Sequence, residues 1–100
     1  METEVQIVRI LRNVYDPEIP VNIYDLGLIY EVNVLENGKV TILMTLTSPG
    51  CPMADELIEE IHTRVKEIEG IREVEVKLTF NPPWSKDMMT DEAKLELGFL

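Results

Sequence analysis

The residues best suited to chemistry lie in one run, Thr45-Leu46-Thr47-Ser48-Pro49-Gly50-Cys51-Pro52. There an alternating apolar strand stops, turns through Pro49 and Gly50, and delivers the only cysteine of the chain to the start of a helix. Gly50 admits backbone conformations closed to other residues, and Pro52 suits the first helical position, where a missing N–H costs nothing. Cys51 then stands beside unpaired backbone N–H groups and the positive end of the helix dipole. That setting favours the thiolate, the form that attacks electrophiles and binds soft metals. The plainer role is a small buried hydrophobe at a strand–helix junction. Proline on both sides of Gly50-Cys51 favours the chemical one, whereas Asp55 and Glu56 in the first helical turn oppose it by raising a neighbouring thiol's pKa.

A cysteine–histidine pair is the first enzymatic arrangement to test. His62 follows Cys51 by eleven residues on the same helix, a separation of ~16 Å at 1.5 Å rise per residue. No dyad forms within one chain, and hydrolase or transferase chemistry would need an acidic residue or the substrate as base. The second arrangement sets Cys51 beside the carboxylates of Asp16-Pro17-Glu18, with Asp25 as a further candidate. The loop leaving the first helix and entering the first strand should lie at the same sheet end as the exit from an antiparallel second strand, and Thr45 and Thr47 stand at that end. On spacing alone, Asp16 serves the Pro17 turn and Glu18 is solvated.

The rest of the chain must position these groups. One hundred residues make a single domain, residues 1–100, able to bury roughly two-thirds of its unfolded surface. One cysteine excludes an internal disulfide framework, and with His62 the only other soft ligand it excludes a four-ligand zinc site within one chain. Nineteen acidic against nine basic residues give a formal net charge of −10, which repels phosphate backbones and anionic membranes. Neither nucleic acid nor a membrane is an expected partner. Without a signal peptide or a membrane-length apolar run, the chain reads as cytoplasmic.

Thr3-Glu4-Val5-Gln6 reads as a helix N-cap with a partner three residues on. Ile7, Val8, Leu11, Val14 and Tyr15 continue at helical spacing, predicting a first helix of about ten residues that closes near Asn13. Asp16-Pro17-Glu18-Ile19-Pro20 breaks it, Asn22 caps a short turn through Tyr24 and Asp25, and Gly27 releases the chain into a strand. Leu28 to Leu35 and Lys39 to Thr47 form a hairpin. A two-residue Asn37-Gly38 loop would mix polar and apolar residues on each face. A three-residue loop with Gly38 as a left-handed bulge instead pairs Val34 with Val40, Val32 with Ile42, Tyr30 with Met44 and Leu28 with Leu46.

From Pro52 to Glu69 a second helix carries one apolar stripe, Ala54, Leu57, Ile58, Ile61, Val65 and Ile68, and Gly70 ends it. Val74, Val76, Leu78 and Phe80 alternate with charged or polar residues in a third strand. The strand–helix–strand unit makes it parallel to the second, with a right-handed crossover, and leaves open which strand it lies beside. Charged residues on the opposite sheet face put both long helices on one side. The fold class is α+β, a two-layer α/β sandwich in the order α-β-β-α-β-α, its three-stranded mixed sheet carrying helices on one face. Asn81-Pro82-Pro83-Trp84-Ser85 is a stiff loop that Trp84 locks onto the core, and Thr90-Asp91-Glu92-Ala93 caps a last helix ending at Gly98.

Five stretches in this order, Asp16-Pro17-Glu18-Ile19, Leu26-Gly27-Leu28-Ile29, Thr45 to Pro52, Pro82-Pro83-Trp84 and Met89-Thr90-Asp91-Glu92-Ala93, resemble the successive motifs of the SufT/PaaD-like iron–sulfur cluster assembly factors. That family takes in bacterial SUF-system accessory proteins, a eukaryotic cytosolic iron–sulfur targeting factor and a domain fused to nucleotide-binding cluster carriers. The resemblance implies an accessory, non-enzymatic role in assembling iron–sulfur clusters or delivering them to client proteins. Cys51 matches the family's reactive cysteine, and Asp16 and Glu18 its acidic motif. The expected binding residues are thus Cys51, Asp16, Glu18, Thr47 and Gly50. No cofactor is expected to be stably bound; a transient iron–sulfur cluster with Cys51 as candidate ligand is the most that one thiolate allows. Implied partners are an assembly scaffold or carrier and client apoproteins, with a homodimer as a candidate assembly. PaaD-like members tend to carry a cysteine-containing C-terminal extension, and the absence of a second cysteine here favours the general maturation branch. The alternatives are an oxygenase-complex component, a thiol-dependent enzyme, or a structural interaction module.

Overall fold

A computed structural model describes residues 2–15, 19–47 and 54–99, so Asp16, Glu18, Gly50, Cys51 and Pro52 lie outside the described residues. The order is α1 (Glu2–Leu11), β1 (Ile29–Val34), β2 (Lys39–Met44), α2 (Ala54–Lys66), β3 (Glu73–Leu78), a 3₁₀ turn (Lys86–Met88) and α3 (Asp91–Glu96). β2 is the central strand of a three-stranded sheet, antiparallel to β1 and parallel to β3. The third strand therefore lies beside the second. α1 packs against β1 and α2 against β3, and the two helices touch each other, forming one layer over one sheet face.

Helical periodicity accounts for that layer. Ile7 and Leu11 of α1, and Leu57, Ile61 and Val65 of α2, are buried against Val40, Ile42 and Met44 of β2 and Val74 of β3. Fully burying a side chain of this size contributes roughly 1.5–3 kcal/mol. Arg64 ties the helices together at the surface, its guanidinium donating to Asn13 O at 3.3 Å while pairing with Glu60 at 3.0 Å. Thr3 does not cap α1. The helix already includes Glu2, and Thr3 and Glu4 stand inside its first turn, where an acidic residue suits the dipole. The regular part of α2 stops at Lys66, and Glu67 to Gly70 finish as a tightened turn. Glu67 and Ile68 donate to carbonyls three residues back, and Gly70 has φ 93°.

The hairpin turns as its hydrophobic pattern requires. Leu35 N donates to Lys39 O at 2.8 Å, Gly38 takes φ 86°, and Val34 faces Val40 and Val32 faces Ile42. Nearer its open end the expected register fails. Ile29, not Tyr30, pairs with Met44, and Glu31 with Leu43, leaving Tyr30 as the extra residue of a β-bulge. Tyr30 opposite Met44 would carry a hydroxyl into an apolar layer. Outside it, the phenol donates to Pro82 O at 2.8 Å and approaches Met88 Sδ at 3.6 Å. Leu28 shifts with it and receives Thr45 N at 2.8 Å in place of facing Leu46.

β3 also departs from its pattern. Val74 is buried, but Leu78 and Phe80 remain 40% and 41% exposed, past the cover that α2 supplies among the described residues. Thr90 caps α3 as its sequence predicts, accepting from Ala93 N at 3.2 Å. The helix closes with Gly98 N on Leu95 O and Phe99 N on Lys94 O, the paired bonds of a Schellman end.

Candidate site at the carboxyl end of the central strand

β1 starts where β2 ends, so the connection from α1 arrives at the sheet end from which the Cys51 turn departs. The hydrogen bond from Thr45 N to Leu28 O fixes that meeting, and Thr79 N on Met44 O, at 2.9 Å, brings the exit of β3 to the same end. Ligand sites in sheets with parallel strands gather at such carboxyl ends, where connecting segments splay apart.

Among the described residues, the first and the last of the connections at this end are pinned to each other. Within the first, Ile23 N donates to Val14 O at 2.8 Å and Tyr15 bridges Asn22, closing the loop that contains Asp16-Pro17-Glu18. Asn22 caps the next turn, its side-chain oxygen accepting from Asp25 N and its amide donating to Asp25 Oδ2, both at 2.9 Å. Asp25 further pairs with Arg12 at 3.8 Å, and Arg12 stacks 5.2 Å from the Tyr24 ring centroid. Its carboxylate thus serves the loop.

The last connection, residues 79–90, crosses from β3 back toward β1 as a strap. Trp84 Nε1 donates to Leu26 O at 2.7 Å and Thr90 N to Asp25 O at 2.9 Å, alongside the bond from Tyr30 to Pro82. Trp84 does lock this segment down, and on a residue of the first connection. Gly27, at φ 84°, passes so close to the strap that a Cβ there would overlap the Met88 carbonyl. Lys86 Nζ sits 4.5 Å from the Phe99 ring centroid, holding the end of α3 against the same strap.

Of the residues expected to bind, Thr47 is half-buried, two residues beyond the fully buried Thr45 and directly before the Cys51 turn. Cys51, Asp16, Glu18 and Gly50 lie outside the described residues. The described flanks of the acidic motif and of the cysteine turn do reach one sheet end. His62 is exposed on α2. Among the described residues no group of three or more His, Cys, Asp or Glu could hold a metal ion. Tyr30 is a member of this end that alternation hides, because period-two reading assigns it to the core face; its hydroxyl in an otherwise apolar stretch is the one signal.

The fold and this sheet end define a small domain built to gather its connections around the carboxyl terminus of one strand. A family model described as iron–sulfur cluster assembly protein matches residues 4–78, and the chain belongs to that family. It is 59% identical over 100 residues to a Porphyromonas gingivalis protein named Fe-S protein maturation auxiliary factor, covering all of this chain and 95% of that one. Against the Staphylococcus aureus Fe-S protein maturation auxiliary factor SufT it is 48% identical over 85 residues, 85% of this chain and 97% of the other. Among solved structures, a Bacillus anthracis domain described only as DUF59, of unknown function, superposes with a TM-score of 0.90 at 40% identity, covering 99% of this chain and 94% of that one.

Proposed function

We propose that this protein is a non-enzymatic auxiliary factor in the maturation of iron–sulfur proteins, acting in the cytoplasm through Cys51 at the carboxyl end of β2. The observation that carries the reading is the family match over residues 4–78, which takes in both the acidic motif and the cysteine turn. Its support in the fold is the convergence of the flanks of those two motifs. Near-complete coverage of two proteins named as maturation factors supports the general maturation role over that of an oxygenase component.

On this reading Cys51 offers one soft thiolate to a cluster that is cargo. Ordinary clusters take about four such ligands, so one chain supplies a single position. The remaining positions belong to thiolates of a scaffold, carrier or client, and the cluster passes through a shared complex. Asp16 and Glu18 are harder oxygen ligands, better suited to orienting a partner or receiving its donors than to holding iron against thiolate competition.

The test is complementation. In a strain lacking the gene, iron–sulfur enzyme activity should return with the wild-type chain and stay low with Cys51→Ala expressed to the same level. Full recovery with Cys51→Ala would overturn the role of the thiolate. An unimpaired deletion strain would overturn the maturation reading itself.

A further inference from the structure

β3 is an outer strand of the sheet, and its backbone groups alternate between two directions. Glu73 N donates to Gly38 O at 3.4 Å and Thr79 N to Met44 O at 2.9 Å, so residues 73, 75, 77 and 79 address β2. The N–H and C=O groups of Val74, Val76 and Leu78 therefore point outward. Among the described residues no strand pairs with them. An open strand edge is a template for another strand, and natural edges are commonly protected by charge. Here the charges are arranged so that the strand matches itself.

We propose that two copies of this chain associate by antiparallel pairing of β3 with β3, about a twofold axis through Val76. In that register Val76 meets the partner's Val76, and Val74 meets the partner's Leu78. These are the residues whose backbone groups point outward, as hydrogen-bonded pairs require. On the other face Glu75 meets the partner's Lys77, and Lys77 the partner's Glu75, so two opposite-charge pairs form. A centre at Glu75 or Lys77 sets that residue against its own copy, and a centre at Val74 sets Glu73 against Glu75. Directly opposed like charges are destabilising. A centre at Leu78 makes no ion pair. The Val76 register also covers Leu78, otherwise 40% exposed. Lys39, 3.3 Å from Glu75 on the neighbouring strand, adds a cation to the same face.

The pairing does not depend on the maturation role. Antiparallel strands point the two sheet ends in opposite directions, so the dimer keeps its two Cys51 turns apart and builds no shared cluster site.

Sedimentation equilibrium of the full chain under reducing conditions tests this. The average mass of the wild type should climb from one chain toward two as concentration rises. Lys77→Glu, which opposes Glu75 with glutamate, should weaken association about tenfold or more. The swap Glu75→Lys with Lys77→Glu should bring it back close to the wild-type value, because only the Val76 register pairs residue 75 with residue 77. Circular dichroism checks the fold, and Glu75→Lys alone, opposing lysine with lysine, replaces Lys77→Glu should that variant unfold. A wild type that stays at the mass of one chain up to its solubility limit overturns the proposal. So does association that Lys77→Glu leaves unchanged, or that the double swap fails to restore.

Discussion

The indole N–H of Trp84 donates to the carbonyl of Leu26 at 2.7 Å, joining residues 58 apart in the chain at the end of the sheet where the cysteine turn begins. Leu26 is fully buried, so removing the donor strands an acceptor away from water. Trp84→Phe keeps an aromatic ring but loses the bond and should lower stability by about 1–2 kcal/mol. Urea titration followed by circular dichroism measures this without relying on the fluorescence of the substituted residue. An unchanged midpoint would mean that the strap is held by ring packing alone.

Gly27 and Gly98 share φ 84°, but a Cβ on Gly27 meets the Met88 backbone and one on Gly98 meets nothing within 4 Å. Alanine in a left-handed conformation costs about 1–2 kcal/mol at either position. Gly98→Ala should lose about that much, while Gly27→Ala should lose at least about 2 kcal/mol more, since strap or loop must move. Comparing the two unfolding free energies isolates the close approach. Equal losses would show that the Met88 contact relaxes freely.

Cys51 should be dispensable for folding and reactive in solution. Cys51→Ala should cost less than the roughly 2–5 kcal/mol of emptying a large buried side chain. The thiol should alkylate with a rate–pH midpoint below the value of about 8.5 for a free cysteine. Iodoacetamide kinetics across pH and a denaturant titration read the two effects separately. A large stability loss combined with slow alkylation would mark the residue as core packing.

A chain reconstituted with iron and sulfide and then freed of small thiols should lose its visible absorbance on dilution. Two chains supply only two thiolates where about four are wanted. Absorbance spectra and mass measured together test this. A cluster that persists on one chain would make the protein a carrier in its own right.

The sequence made legible those parts of the fold that follow from one period at a time. The Gly38 bulge, the Thr90 cap, the Asn22 turn and the Leu57, Ile61 and Val65 positions of the α2 stripe each answer to local pattern, and each is in place; Ile58 of that stripe is only half-buried, and Ile68 falls beyond the end of the helix. The bulge at Tyr30 was illegible, because what decides it is a carbonyl on Pro82, far off in sequence. The exposure of Leu78 and Phe80 escaped for a similar reason: alternation tells which face a residue points to, and nothing of how far the helix above extends. For the candidate site, topology sufficed to bring the flanks of Asp16-Glu18 and Cys51 to one sheet end. The role of Asp25 was legible only in part: Asn22 caps its turn as the local pattern predicts, whereas its other partner, Arg12, follows α1, thirteen residues earlier.

The strap joins the first connection at Leu26 and Asp25 and the start of β1 at Tyr30, all at one end of the sheet. Bonds so clustered break together, and a segment joined by few of them opens below the free energy of global unfolding. Hydrogen exchange at the Thr90 amide and at the Trp84 indole should therefore report a single sub-global opening with a common protection factor, while Ile42 and Met44 exchange only when the whole domain unfolds. In that opened form Leu26 and Gly27 lose their cover and the loop carrying Asp25 is released. A partner that recognises the open form would thus bind by capturing a minor population, and its association rate would carry the equilibrium constant of that opening.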